Sequence, residues 1–295
     1  MENITAKQIQ DTFTIGGDLT VNRMGYGAMR ITGEGIWGPP KDHDECIRVL
    51  KRAVELGINF IDTADSYGPH VSESLIAEAL YPYPEGVVIA TKGGLLRTGP
   101  NQWPVNAHPN HLREALEGSL KRLKLDCIDL YQLHRVDHNV PFEDTLSFLQ
   151  KIQEERLVKH IGLSEVSVEQ IQKAQQYIKV VSVQNMYSVD NRKWEAELQY
   201  CEANNMAFIP WYPLNAGNVD ALDKLNAIGK KYNASAHQVA LSWLLHHSPN
   251  ILLIPGTSKV KHLEENYMAV SIRLSEEDMK TLDTLDSRSK TRNNN

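Results

Sequence analysis

Four ionisable residues stand at or just beyond the ends of short apolar runs, and together they could place a proton on an oxygen. Asp62 and Tyr67 lie in Asn59-Phe60-Ile61-Asp62-Thr63-Ala64-Asp65-Ser66-Tyr67-Gly68, where a buried run gives way abruptly to polar residues. Lys92 follows Val87-Val88-Ile89-Ala90-Thr91, and His134 follows Ile128-Asp129-Leu130-Tyr131-Gln132-Leu133. A free phenol titrates at about 10, too high for a well-matched acid at neutral pH. A close ammonium favours the phenolate and lowers that value by roughly 1–3 units. Asp62 would hold Lys92 charged and oriented, while His134 would hydrogen-bond a carbonyl oxygen or relay a proton. Such a set protonates an oxygen as a carbonyl becomes an alcohol. It holds no hydride, so a cofactor must supply one. Each residue also has a plainer reading: Asp62 as a turn cap, Tyr67 and His134 as rim packing, Lys92 as a solvated cation.

The elements that must position these groups read as a repeating alternation. Apolar runs at 24–27, 59–62, 87–91, 128–133, 160–163, 180–184, 207–210 and 251–254 are the expected strands. Amphipathic stretches at 44–56, 72–80, 110–123, 142–155, 168–177, 193–204, 219–247 and 264–270 are the expected helices. Two alternating runs about Gly16-Gly17 predict an opening hairpin, and 276–285 predicts a further helix near the C-terminus. Eight βα units without a long linker predict a single domain over 1–295, an α/β fold of the (β/α)8 TIM-barrel type. No Gly-x-Gly-x-x-Gly opens a helix, which argues against a doubly wound dinucleotide domain. In a barrel the strand C-termini share one mouth, so all four ionisable groups fall around it.

Composition excludes other classes. A net charge of −6 over 295 residues, with no long basic run, argues against a nucleic-acid partner. No stretch approaches the ~20 apolar residues that span a bilayer, and the N-terminus has no apolar signal core. Cys46, Cys127 and Cys201 have no ligand-like spacing and read as buried or half-buried thiols in a reducing, cytoplasmic setting. His134 lacks a second strand-end histidine, so no metal site is expected. The expected partner is a small carbonyl compound, and the expected state is a monomer or weak homo-oligomer.

The segments 59–68, 90–93 and 129–134 resemble the aldo-keto reductases, and the likeness runs over nearly the whole chain. The resemblance implies direct hydride transfer from NADPH, with Tyr67 as general acid, Lys92 and Asp62 assisting, and His134 orienting the carbonyl. It also implies that Gly27, Met29, Arg30 and Asp62 lie beside the cofactor. Ser164 and Gln184 would hold the nicotinamide carboxamide, and Trp211 would stack on the ring. Tyr212 and Pro213 would also contact the cofactor, and Leu214, Asn215 and Gly217 would pass near the pyrophosphate. Ile254, Gly256, Thr257, Ser258, Lys259, His262, Glu265 and Asn266 would form the adenosine end, where amides at a helix start suit a phosphate. Two departures stand out: Glu165 replaces an asparagine common in relatives, and His262 replaces the usual basic residue, with Lys259 as the substitute charge.

The segment Gly162-Leu163-Ser164-Glu165-Val166-Ser167 is similar to the branch that includes pyridoxal reductases, so pyridoxal is an expected test substrate. Trp37, Tyr67, Trp103 and His134 are the candidate pocket wall; Trp37 and Trp103 read equally as packing anchors of their own loops. Some barrels of this family are nicotinamide-sensing regulatory subunits with slow turnover, and the residues alone leave that alternative open.

Overall fold

The chain enters as an antiparallel hairpin of β1 (Thr12–Ile15) and β2 (Leu19–Asn22). Two-residue alternation puts Phe13, Ile15, Leu19 and Val21 on one face, and that face packs on Phe60, Val88, Ala90 and Leu130. The computed structural model describes residues 11–211 and 219–285. Tyr212, Pro213, Leu214, Asn215 and Gly217 lie outside those residues.

Seven parallel strands follow one another around a single sheet: β3 (Tyr26–Gly27), β4 (Phe60–Asp62), β5 (Val88–Gly93), β6 (Ile128–Leu133), β7 (Val158–Ser164), β8 (Val180–Gln184) and β9 (Ala207–Phe208). Parallel bridges Phe208–Ile251 and Met24–Leu253 place an eighth segment between the last strand and the first. That closes the expected (β/α)8 barrel. Its outside is covered by α1 (His43–Glu55), α2 (Val71–Leu80), α3 (Pro109–Leu123), α4 (Phe142–Glu154), α5 (Val168–Ala174), α6 (Glu195–Ala203), α7 (Val219–Tyr232), α8 (Ala236–His247) and α9 (Val260–Tyr267). The extra helix α10 (Glu276–Asp283) packs on α7. The hairpin plugs the N-terminal mouth, where the Asn59 side chain accepts from Asn22 N (2.8 Å) and donates to Thr20 O (3.1 Å). Ligands are left the opposite mouth.

Some boundaries move for local reasons. The expected helix over 219–247 breaks in two because Asn233 turns left-handed at φ 51° and Ser235 forms a reciprocal capping box with Gln238. Lys92 lies within β5 and not after it, since the ladder continues through the pairs Lys92–Gln132 and Gly93–Leu133. Cys46 and Cys201 are buried as expected, but Cys127 is exposed just before β6.

The seam between first and eighth strands depends on Arg23, which is 1% exposed. Its guanidinium donates to the carbonyls of Ile251 (2.8 Å), Leu245 (3.0 Å) and Ser248, joining the seam to α8. Arg23→Met orphans these buried acceptors. Stability should fall by about 3 kcal/mol or more, read as a lower urea midpoint at unchanged m-value. An unmoved midpoint would show that the seam holds without the guanidinium.

Candidate active site

Inside the barrel, alternation sets a polar layer directly above an apolar one. Asp62 follows Phe60 on β4, Lys92 follows Ala90 on β5 and Gln132 follows Leu130 on β6, each two residues on and so on the same face. Phe60, Ala90 and Leu130 belong to the interior apolar cluster.

Lys92 is 0% exposed and Asp62 2%. The Lys92 ammonium donates to Asp62 Oδ2 (2.6 Å), Thr63 O (2.7 Å) and Tyr67 Oη (3.4 Å), which uses its three hydrogens. The other carboxylate oxygen, Asp62 Oδ1, accepts from Gln132 Nε2 (3.1 Å) and Gln184 Nε2 (2.9 Å). Burial lowers the Lys92 pKa, but Asp62 and Tyr67 outweigh it and hold the ammonium above its usual value. The ammonium is therefore charged, and the pair is fully hydrogen-bonded.

Tyr67 is 7% exposed and meets Trp103 edge-on, with centroids 6.4 Å apart. Lys92 does pull the Tyr67 pKa down, as expected, but the expected net lowering is corrected here. Burial is the largest influence and raises it, Lys92 lowers it, Asp62 raises it, and the net direction is upward. The phenol is thus protonated at neutral pH. Because it accepts from Lys92, its own proton is left to give elsewhere. The His134 ring lies 5.9 Å from that of Tyr67, and burial with Lys92 and Arg135 nearby pushes its pKa well below the ordinary imidazole value. It is neutral, so of its two expected roles the geometry favours hydrogen bonding over proton relay.

The remaining predicted residues fall along one side of this mouth. Ser164, ending β7, donates to Gln184 O (2.8 Å). Glu165, at φ 54°, accepts through Oε1 from Met186 N (2.7 Å) and from the Trp211 indole (2.8 Å). So Glu165 braces the aromatic. Farther out, Arg30, Gly256, Thr257 and Ser258 line a cleft of about 420 Å³. Gly27 and Gly256 approach so closely that a Cβ on Gly256 would meet Gly27 O at 2.7 Å, and one on Gly27 would meet Ile254 O at 2.5 Å. Met29 packs by Ile36, Ala64 and Tyr67. His262 and Glu265 are exposed on α9, and Asn266 is buried beside His237. Two contacts weaken the expected phosphate site: Val260 N donates to Glu45 (3.1 Å), and Lys259 sits 3.9 Å from Asp42.

Sequence reasoning passed over Gln132, Arg135 and Arg97. Gln132 carried a signal, since it precedes His134 by two and so shares its face. Arg97 had none, because beyond Gln102 (3.0 Å) and Gly99 (3.2 Å) of its own loop its partners are carbonyls of distant loops: Ile36 (2.6 Å), Ser66 (2.9 Å) and Gly35 (3.0 Å). Its guanidinium lies 3.6 Å from the Trp103 ring centroid and 5.5 Å from that of Trp37. Trp103 therefore borders Tyr67 and anchors its loop at once. Trp37 is 37% exposed. Among the described residues no group of three or more His, Cys, Asp or Glu could hold a metal ion, and no helix is long and apolar enough to cross a membrane.

A closed barrel thus gathers Tyr67, Lys92, Asp62 and His134 at its C-terminal mouth, a set that could put a proton on a carbonyl oxygen. The aldo/keto reductase family model matches residues 23–287, and the chain belongs to that family. An uncharacterized oxidoreductase of Schizosaccharomyces pombe is 56% identical over 271 residues, covering 90% of this chain and 87% of that protein. A pyridoxine 4-dehydrogenase of Escherichia coli is 42% identical over 279 residues, covering 92% and 97%. An aldo-keto reductase from Klebsiella pneumoniae, solved in complex with NADPH, superposes with a TM-score of 0.79 at 25% identity, over 94% of this chain and 95% of that one.

Behind the site, Asp65 is 4% exposed and its Oδ1 has no partner. Burial and the neighbouring Glu73 charge push its pKa up to about 8. Unfolded, a carboxyl loses its proton at about 4, so between those values folding takes up a proton and stability falls as pH rises. Asp65→Asn, which mimics the protonated acid, should raise the melting temperature, with a gap over wild type that widens from pH 5 to pH 8. Calorimetry at both pH values checks this; a constant gap would show that Asp65 stays ionised.

Proposed function

We propose that this chain reduces aldehydes or ketones to alcohols with a hydride from NADPH, and that Tyr67 gives the proton. The observation that carries the reading is the Tyr67 phenol: protonated by burial, it accepts from the Lys92 ammonium 3.4 Å away and keeps its own hydrogen for a ligand. The NADPH-bound relative and the family match support the cofactor. The family match over 23–287 supports one barrel domain across 1–295.

The residues present fit a dinucleotide. Trp211 offers a ring face, Ser164 and Gln184 offer polar groups beside it, and the cleft of Arg30, Thr257 and Ser258 offers a cation and hydroxyls for phosphates. When bound, the cofactor supplies the hydride to the carbonyl carbon. His134, held neutral, donates a hydrogen bond that fixes the carbonyl oxygen. Tyr67 transfers its proton to that oxygen as charge develops there. Lys92 holds the phenolate left behind, an interaction that strengthens only as the proton departs. Asp62 keeps Lys92 charged and aimed. Likeness to the Escherichia coli pyridoxine 4-dehydrogenase and the 162–167 segment favour pyridoxal as a substrate to try first.

Tyr67→Phe should cut turnover by ~10²–10⁴-fold, the usual weight of general acid catalysis, while NADPH affinity holds. Aldehyde reduction by Tyr67→Phe at the wild-type rate would remove the acid from this residue. Lys92→Met should slow turnover and move the alkaline limb of the reduction profile upward, because Lys92 is the largest influence pulling the phenol pKa down. An unmoved limb with full activity would make Lys92 a structural cation only.

Cofactor choice follows from the adenosine end. With Glu45 already on Val260 N and Asp42 close to Lys259, the 2′-phosphate has fewer free partners than the sequence suggests. NADPH should be preferred to NADH by roughly tenfold, the scale of one charge-assisted bond, and Lys259→Ala should shrink that ratio. Steady-state kinetics with both cofactors measure it; equal efficiency with both would show that the phosphate is not recognised.

A further inference from the structure

Arg135 follows His134 past the end of β6, yet its guanidinium turns along the mouth. Nη1 donates to His134 O (2.6 Å) and to Ser164 Oγ (3.0 Å), and Cζ lies 5.6 Å from the Trp211 ring centroid. Among the described residues, no acceptor takes the hydrogens on Nε or Nη2. An arginine with unspent donors, held rigidly against an aromatic face, is a site for an acceptor oxygen.

The neighbours narrow what that oxygen belongs to. Ser164 has given its proton to Gln184 O (2.8 Å), and Gln184 turns its amide nitrogen to Asp62 Oδ1 (2.9 Å). Glu165 has only acceptors, and its Oε1 is taken by Met186 N and the Trp211 indole. A ligand lying on Trp211 thus meets acceptors from Glu165 and Gln184, and its own acceptor oxygen must look to Arg135. A carboxamide has that pattern: an NH₂ that donates and a C=O that accepts.

We propose that Arg135 receives the carboxamide oxygen of the bound nicotinamide, so that Arg135 and Trp211 together fix how the ring lies. The inference rests on the proposed NADPH-dependent function and assigns this residue within it. The brace of Glu165 on Trp211 then serves the same end, because the aromatic and the guanidinium must keep their spacing. The sequence hides this, since an arginine after a strand end looks like a surface cation.

Binding measurements on the full chain test it. NADP⁺ and 2′-phospho-ADP-ribose, which lacks only the nicotinamide, are titrated by calorimetry against wild type, Arg135→Met and Arg135→Lys. Arg135→Met should weaken NADP⁺ by roughly tenfold or more, as expected for loss of a charged donor, and leave the fragment's affinity unchanged. Retained fragment binding also shows that the variant is folded. Arg135→Lys, which keeps charge but loses the fork, should weaken NADP⁺ by less.

Unchanged NADP⁺ affinity in both variants overturns the assignment. Equal losses for NADP⁺ and the fragment in the lysine variant also overturn it, and place Arg135 in phosphate binding or folding. A third overturning result is unchanged NADP⁺ affinity with a KM raised for 2-carboxybenzaldehyde but not for benzaldehyde, which gives the guanidinium to an anionic substrate. If wild type binds neither NADP⁺ nor NADPH, the functional reading itself fails, a result distinct from all of these.

Discussion

The Lys92–Asp62 ion pair is the constraint on which the site depends. Taking two charges out of water costs several kcal/mol for each ion, and only good geometry with every remaining hydrogen bond made offsets that cost. Here each hydrogen on Nζ and both carboxylate oxygens have partners, drawn from β4, β5, β6, β8 and the turn that carries Thr63 and Tyr67. Four strands must therefore stay in register for the pair to be tolerated. Apolar residues of similar volume would stabilise the interior as well or better. A charged layer there makes sense as machinery, placed where the barrel is most rigid.

In the proposed reaction, that rigidity would let the phenol donate despite a raised pKa. Burial and Asp62 keep the Tyr67 proton on, while in the proposed reaction Lys92, 3.4 Å away, would meet the negative charge left when it goes. An interaction poorly used in the ground state and strengthened later is what lowers a barrier. The simple expectation that an ammonium makes a phenol acidic missed the competing desolvation. The residues were read correctly, but the balance among them depends on depth, which a sequence does not print.

Depth and distance also mark where legibility ended. The barrel could be read because each strand is an apolar run and each helix a periodic stretch, both local signals. Asp62, Lys92 and His134 could be read because they interrupt such runs. Gln132 was missed although alternation pointed to it, and the helix break at Asn233 was missed although Ser235 and Gln238 spell a capping box. Glu165 could be seen only as a departure, since its partner Trp211 lies 46 residues on. The occupation of Val260 N by Glu45 joins two helices far apart in the chain, and nothing in either segment signals the other.

Arg97 shows how one such long-range residue limits the site. Its guanidinium serves five carbonyl oxygens from the loops after β3, β4 and β5, and it stacks on Trp103 with Trp37 close by. An arginine fork so fully used has no donor left for a ligand. It ties the loops into one wall beside Tyr67. A wall held in that way cannot adjust much to a substrate, because moving one loop breaks bonds to the other two. The side carrying Trp211, Glu165 and Arg135 is braced through separate contacts. The mouth thus lies between two independently fixed walls, with the Tyr67 phenol at the edge of one and the Trp211 ring on the other.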